Sequence, residues 1–173
     1  MRLLLLCLAV LSLLRVDAAD PAPYTRTEVI YGRKFGTALT LDVFRPASTN
    51  TLGVVAIISG GFFSSHEAIN PGMLKPFLDR GYTVFAVVHG SQPRYIIPEI
   101  VADIHRGVRW IRHHAADYGI RPDRLGVFGA SAGGHLSLTL GTQGGPGDPA
   151  AKDPVDRESS AVQAVACFFP PTD

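Results

Sequence analysis

Cysteine is nearly missing from this chain. Of 173 residues only Cys7 and Cys167 are cysteines. Cys7 lies in an N-terminal apolar stretch, which leaves Cys167 alone and excludes an internal disulfide framework. Charge of one sign is missing too: 16 basic residues face 15 acidic ones, a net charge of +1. With no basic run and no basic residues interleaved with aromatics, nothing marks a nucleic-acid partner. The longest apolar run at the N-terminus, residues 3–14, has 12 residues, well short of the roughly 20 that a membrane-spanning helix needs. No Cys/His/carboxylate spacing has the pattern of a metal site, and no repeat or second domain breaks the sequence.

What remains is ordinary globular composition, 46% apolar and 18% charged, on a length that suits one domain with a real core. Arg2, the apolar run and the small residues around Ala18 read as a secretory leader over residues 1–18. Its removal takes Arg2, Arg15 and Asp17 with it and leaves a neutral domain over 19–173, exported to the periplasm or secreted, with no membrane span. Cys167, inside Ala164-Val165-Ala166-Cys167-Phe168-Phe169, reads as a core residue.

Strand and helix patterns alternate along that domain. Residues 27–31 and 39–44 read as a hairpin joined by a turn over 32–36, the second strand alternating apolar and polar side chains. Val54-Val55-Ala56-Ile57-Ile58 and Tyr82–Val88 are continuous apolar runs, the pattern of strands covered on both faces. Asn70 and Pro71 are an N-cap and a first helical residue, and Gly81 marks that helix's end. Pro98 opens a longer helix, closed by Tyr118-Gly119, whose Ile100, Val101, Ile104, Val108 and Ile111 make one stripe. Residues 125–128 and 162–169 read as two more buried strands, separated by a long Gly/Pro/Asp-rich loop over 141–161. Such alternation builds a doubly wound, mostly parallel sheet with an antiparallel N-terminal hairpin. Its ligand site lies beyond the carboxyl ends of the strands, where Gly60-Gly61, His89-Gly90, Ser131 and Pro170-Pro171 all fall.

The most telling stretch is Gly129-Ala130-Ser131-Ala132-Gly133, which fits G-x-S-x-G between a short apolar strand and a helical run. In that motif the serine sits on a sharp strand-to-helix turn, and the glycines are small because strand and helix pass closely. Gly126, Gly129 and Gly133 do not fit the G-x-G-x-x-G of a dinucleotide loop. The helix N-terminus aims N–H groups and its positive dipole end at the place where an oxyanion would form. Of the six histidines, His89 alone lies at a strand end. His105, His113 and His114 fall on the long helix as surface residues, the adjacent last two facing different ways, and His135 lies one turn into the serine's helix. His66 completes the set, and none has metal-ligand spacing. Phe62 and Phe63 are candidates for the wall of an acyl or alcohol pocket, and Trp110 for the core.

The run GVFGASAGGHLSL, the preceding helix DIHRGVRWIRHHAADYGIRPDRL and the later RESSAVQAVACFFPPTD resemble the α/β-hydrolase superfamily. Within it the chain is similar to carboxylesterases of the acetyl-esterase/lipase type, including the BD-FAE group of feruloyl-esterase-like domains, over residues 25–173. The resemblance implies a Ser–acid–His triad with Ser131 as nucleophile, an acyl-enzyme, a small-molecule ester substrate and no cofactor. It implies oxyanion donors at the backbone N–H of Ala132 and, from a loop that is HGGG-type in the family and Ser59-Gly60-Gly61-Phe62 here, of Gly61 and Phe62. Only forty-two residues follow Ser131. The strands that carry the family's acid and base are missing, so the expectation is a domain truncated before its last strands and inactive alone. A serine peptidase of the same fold and a catalytically inactive hydrolase-like binding domain stay open as alternatives.

Overall fold

The computed structural model describes residues 23–172. The leader read over 1–18 lies outside them. Among the described residues six strands form one sheet: β1 (Tyr24–Lys34), β2 (Thr37–Pro46), β3 (Gly53–Ile58), β4 (Thr83–Val88), β5 (Leu125–Ala130) and β6 (Ala164–Phe168). Their spatial order is β1-β2-β4-β3-β5-β6. β1 pairs antiparallel with β2 and β2 antiparallel with β4, whereas β4, β3, β5 and β6 run parallel. Three helices connect them: α1 (Pro71–Leu78), α2 (Ile97–His113) and α3 (Ala132–Gln143). No described helix is long and apolar enough to cross a membrane.

The period of two along each strand divides the core into two layers. Leu41, Val43, Val55, Ile57, Phe85, Val87, Leu125 and Val127 point to the face covered by α2 and α3, where they meet Ile100, Ile104, Val108, Ile111, Leu136 and Leu140. The alternate residues Phe44, Val54, Ala56, Val84, Ala86 and Phe128 point to the other face, under Leu74 and Leu78 of α1. The α2 stripe is thus the expected one, except that Val101 lies at its margin, only partly buried. At the start of α1 the Asn70 side chain accepts from the Gly72 N–H at 2.9 Å, with Pro71 behind it. The cap and the proline therefore do what their positions in sequence imply.

Three expectations are corrected. The first turn is not spread over 32–36. It is a two-residue loop, Phe35-Gly36, with both residues at positive φ (45° and 75°), the type I′ geometry that suits the twist of a hairpin. Gly32 stays inside β1, beside a register shift between Ile30 and Gly32. The long helix ends at His113, and the chain then turns through Gly119, at φ 64°, before β5. The run ending in Phe168-Phe169 is not a buried strand: every residue of β6 except Cys167 is exposed, and Cys167 is half-buried. β6 is an edge of the sheet, touched on one side by Gly141 of α3 through Val165. On the other side it borders an open apolar groove that Phe77, Phe128, Ala164 and Ala166 help to line. An apolar run signals strand, but its burial depends on what packs against each face.

The expected loop over 141–161 starts only after Gln143, where α3 ends, and contains a 3-10 turn (Pro154–Arg157); it is strapped to α2 rather than free. Arg106 pairs with Asp153 and Asp156 at 2.6 and 2.7 Å. Arg112 donates to the carbonyls of Pro122, Ser159 and Ala161, and His105 shares a hydrogen bond with Ser160 Oγ at 2.9 Å.

Candidate active site

Strand β5 enters its turn with no room for a side chain. A Cβ on Gly129 would lie 2.3 Å from the carbonyl oxygen of Gly133, and one on Gly133 would lie 2.5 Å from the carbonyl oxygen of Ile57. The chain can double back between β5 and α3 only because both residues are glycine. Ser131, at the apex, has φ 53° and ψ −126° and is exposed. Backbone in that region costs on the order of 1–3 kcal/mol and persists where its surroundings over-determine it. Here they do. The Ser131 N–H donates to Phe168 O at 3.0 Å, and its carbonyl accepts from the His135 N–H at 3.0 Å. Two residues on, the Gly133 N–H donates to Ser59 O at 3.2 Å and ties the elbow to the end of β3. Ala132 opens α3, so its N–H is one of the donors that a helix start leaves without an intrahelical acceptor.

After β3 the chain makes a second two-residue hairpin. Gly60 and Phe63 exchange both backbone hydrogen bonds at 2.9 Å, and Gly61 and Phe62 between them have φ 55° and 61°. This is again a type I′ loop, in which the N–H groups of the two central residues stay outside the ladder. Phe62, a bulky residue in the left-handed region, is held there from two sides. Its carbonyl accepts from the Gln92 N–H at 3.2 Å, and its ring meets His135 edge-on, centroids 5.7 Å apart. Phe62 is partly buried against the core, whereas Phe63 is exposed.

Buried His89, at the end of β4, braces this loop. Its Nδ1–H donates to Gly90 O at 2.7 Å, so Nε2 carries the lone pair that accepts from Ser59 Oγ at 2.8 Å. Burial holds the His89 imidazole below its ordinary value, against the weaker opposing effects of its bond to Gly90 and of Asp103. Ser64 and Ser91 lace the same two loops together: Ser91 Oγ accepts from the Ser64 N–H at 2.9 Å and donates to the Ser64 carbonyl at 3.0 Å. The four strand ends picked out in the sequence therefore meet on one rim. What the sequence does not reveal is the brace. A serine at position 59 carries no signal that a histidine thirty residues later will reach it.

None of the six imidazoles is hydrogen-bonded to Ser131 Oγ among the described residues. His66 is engaged with Thr40, His105 with Ser160, His113 with Glu158 and His114 with Asp117. His135 donates to Pro171 O at 2.9 Å, and both ring nitrogens of His89 are used.

A mostly parallel sheet with an antiparallel N-terminal hairpin, a serine elbow between β5 and the next helix, and a glycine loop across the rim define an α/β-hydrolase fold. The chain belongs to the BD-FAE family, whose model matches residues 41–173. It is 29% identical over 149 residues to the probable carboxylic ester hydrolase LipM of Mycobacterium tuberculosis, a match that covers 82% of this chain and 33% of LipM. Among solved structures it is similar to the acetyl ester-xyloside bifunctional hydrolase of Caldicellulosiruptor lactoaceticus, with TM-score 0.72, 25% identity, and 83% of this chain and 57% of that one covered. It is also similar to Thermogutta terrifontis esterase 2 phosphoramylated by tabun, with TM-score 0.71, 25% identity, and 88% and 59% covered. The chain thus spans about a third of LipM's length and less than two thirds of either structure.

Proposed function

We propose that this chain carries the nucleophile and oxyanion site of a serine carboxylic-ester hydrolase. The observation that carries the reading is Ser131 itself, exposed at φ 53° on a turn closed by Gly129 and Gly133. A base takes the Oγ proton as Oγ attacks the ester carbonyl carbon. The carbonyl oxygen gains the negative charge beside the N–H groups of Ala132, Gly61 and Phe62. The intermediate then collapses, the alkoxide leaves with a proton from the base, and water hydrolyses the acyl-Ser131 ester by the reverse sequence. The esterase relatives support an ester substrate, and the tabun adduct of the Thermogutta enzyme is the kind of product a nucleophilic esterase gives with an organophosphorus agent. On this reading the base and acid lie outside the described residues, because all six histidines are bonded elsewhere. The leader read over residues 1–18 makes export part of the proposal. N-terminal sequencing of the protein from the extracytoplasmic fraction should then begin at Ala19 or Asp20.

The same engagement of the histidines favours one competing reading, a hydrolase-like domain that binds without turnover. The test is hydrolysis of short-chain nitrophenyl esters and fluorophosphonate labelling by the product of the whole gene. Both are expected, and Ser131→Ala should lower kcat by ~10³-fold or more and abolish the label. Turnover that survives the substitution within tenfold removes Ser131 from the chemistry. Ester binding with neither turnover nor label gives the binding domain.

A further inference from the structure

At the outer end of the sheet, on the α1 face, three side chains from three segments converge. Glu28 of β1 and Asp42 of β2 are register partners, and His66 comes from the short 3-10 turn between β3 and α1. One ligand atom from each lies within 4.8 Å of the others. Asp42 is buried, with a side chain 2% exposed. Its Oδ2 takes the Arg26 guanidinium, but its Oδ1 is sealed from solvent and has no hydrogen-bond partner among the described residues. A bare carboxylate oxygen inside a protein is costly unless something positive meets it. What faces it is His66 Nδ1, 3.2 Å away, in a contact without hydrogen-bond geometry. The other ring nitrogen, Nε2, lies 2.6 Å from Thr40 Oγ1 and 3.4 Å from Glu28 Oε1. A hydroxyl that accepts from Nε2–H is the outer contact that fixes a metal-binding imidazole's tautomer and turns the Nδ1 lone pair inward.

We propose that Glu28, Asp42 and His66 bind one divalent cation of the zinc class, through Asp42 Oδ1, His66 Nδ1 and a carboxylate oxygen of Glu28, whose exposed side chain turns to the ion from its place beside Nε2. Two carboxylates and an imidazole suit Zn²⁺, and a tetrahedral ion with bonds of about 2.0 Å sets neighbouring donors roughly 3.3 Å apart, close to the 3.2 Å between Oδ1 and Nδ1. Arg26 neutralises one carboxylate, so the pocket still carries net negative charge. The ion would pin the segment after the Gly60–Phe63 hairpin to the β1–β2 hairpin. The site is independent of the elbow and of the ester-hydrolase reading.

The test is titration of the chelator-stripped full chain with ZnCl2 by calorimetry and with CoCl2 by visible absorption. One equivalent should bind, with the intense Co²⁺ bands of a tetrahedral site. His66→Gln should weaken Zn²⁺ at least tenfold and remove those bands, and Glu28→Gln, at an exposed position, should weaken it severalfold. His114→Gln, which removes a surface His–Asp pair, should change neither. Asp42→Asn risks the fold through Arg26, so the conclusion rests on the other two variants. A chain that takes up no Zn²⁺ at millimolar concentration, or binds it equally with His66→Gln, overturns the proposal and leaves the cluster as an imidazolium ion pair.

Discussion

Placing a methyl group on Gly129 tests whether the elbow is closed by backbone rather than by side chains. The Cβ would land 2.3 Å from Gly133 O, 2.5 Å from Gly133 C and 2.9 Å from Ser137 Oγ. Neither Gly133 atom can turn away as a side chain would. Gly133 O also accepts from Ser137 Oγ at 2.7 Å, and the Gly133 N–H is bonded to Ser59 O. Relief therefore means moving α3 against β3. Overpacking costs typically 1–3 kcal/mol and more where nothing yields, so Gly129→Ala should lose about 3 kcal/mol or more. For a chain of this size that lowers Tm by roughly 6–12 °C. Gly53→Ala is the internal comparison. Its Cβ would meet Leu125 Cδ2 at 2.7 Å and Ile120 Cδ1 at 2.9 Å, distances nearly as short, but to the ends of rotatable side chains, so about 1–2 kcal/mol is expected. A Cβ on Gly145 meets nothing within 4 Å, and there Ala should be neutral or stabilise by up to about 1 kcal/mol through the unfolded chain. Urea and thermal unfolding followed by circular dichroism rank the three. A Gly129→Ala chain within 1 kcal/mol of the parent, or one more stable than Gly53→Ala, would refute the closed-backbone account.

The remaining predictions concern the brace, the strap and the core. Burial holds His89 below its ordinary imidazole value, and burial together with nearby Arg109 does the same for His105. The unfolded chain therefore binds more protons as pH falls through about 6.5, so stability should be flat above that pH and fall below it. Urea midpoints at pH 7.5 and 5.5 check this, and a His89→Gln chain should show a shallower loss. Ser59→Ala leaves His89 Nε2 unpaired in a buried place and should cost about 1–3 kcal/mol, seen as a lower urea midpoint at unchanged slope. Arg112→Met keeps the aliphatic stem but removes the donors to Ser159 and Ala161, so hydrogen exchange and proteolysis over residues 145–161 should accelerate while the rest of the chain keeps its protection. Ile104→Ala, fully buried between α2 and the sheet, should cost 2–5 kcal/mol, as buried Ile→Ala changes generally do.

How much of this was legible beforehand depends on the range over which each feature is decided. The Asn70 cap, the α2 stripe and the glycines of the elbow are local. Each is fixed by residues a few positions apart, and each was readable. The rim was readable too, because topology alone sends the ends of parallel strands to one edge. The exposure of β6 was not, since an apolar run looks the same whether helices cover both faces or one. The bond from Ser59 to His89 and the cluster of Glu28, Asp42 and His66 join side chains that come together only once strand order and register are set. Phe35 and Phe62 were hidden for another reason: type I′ loops advertise themselves through Asn or Gly, and in both loops a phenylalanine takes one of the two left-handed positions.

In both loops that phenylalanine is held from outside as well as by the short connection. Phe35 is exposed at the tip of the β1–β2 hairpin, yet its carbonyl accepts from Arg94 Nη2–H at 2.9 Å and its ring stacks on Tyr95, centroids 6.5 Å apart. Phe62 is fixed from outside, by Gln92 on its carbonyl and His135 against its ring, and Gly60 before it follows directly on Ser59, which His89 braces. His135 is in turn anchored on Pro171 O beyond β6, and Ser131 on Phe168 O. The hairpin, the elbow and the end of β6 therefore form one connected set, with contributions from β3, β4, β5 and α3. Ester hydrolysis needs fixed N–H groups, because donors that must reorganise as charge develops forfeit most of their value. A third glycine in place of Phe62 would reach the same φ without strain but would lose the ring that registers the loop against α3. The phenylalanine thus trades backbone ease for a rigid hairpin, and on the proposed reading that rigidity keeps the Gly61 and Phe62 N–H groups in place.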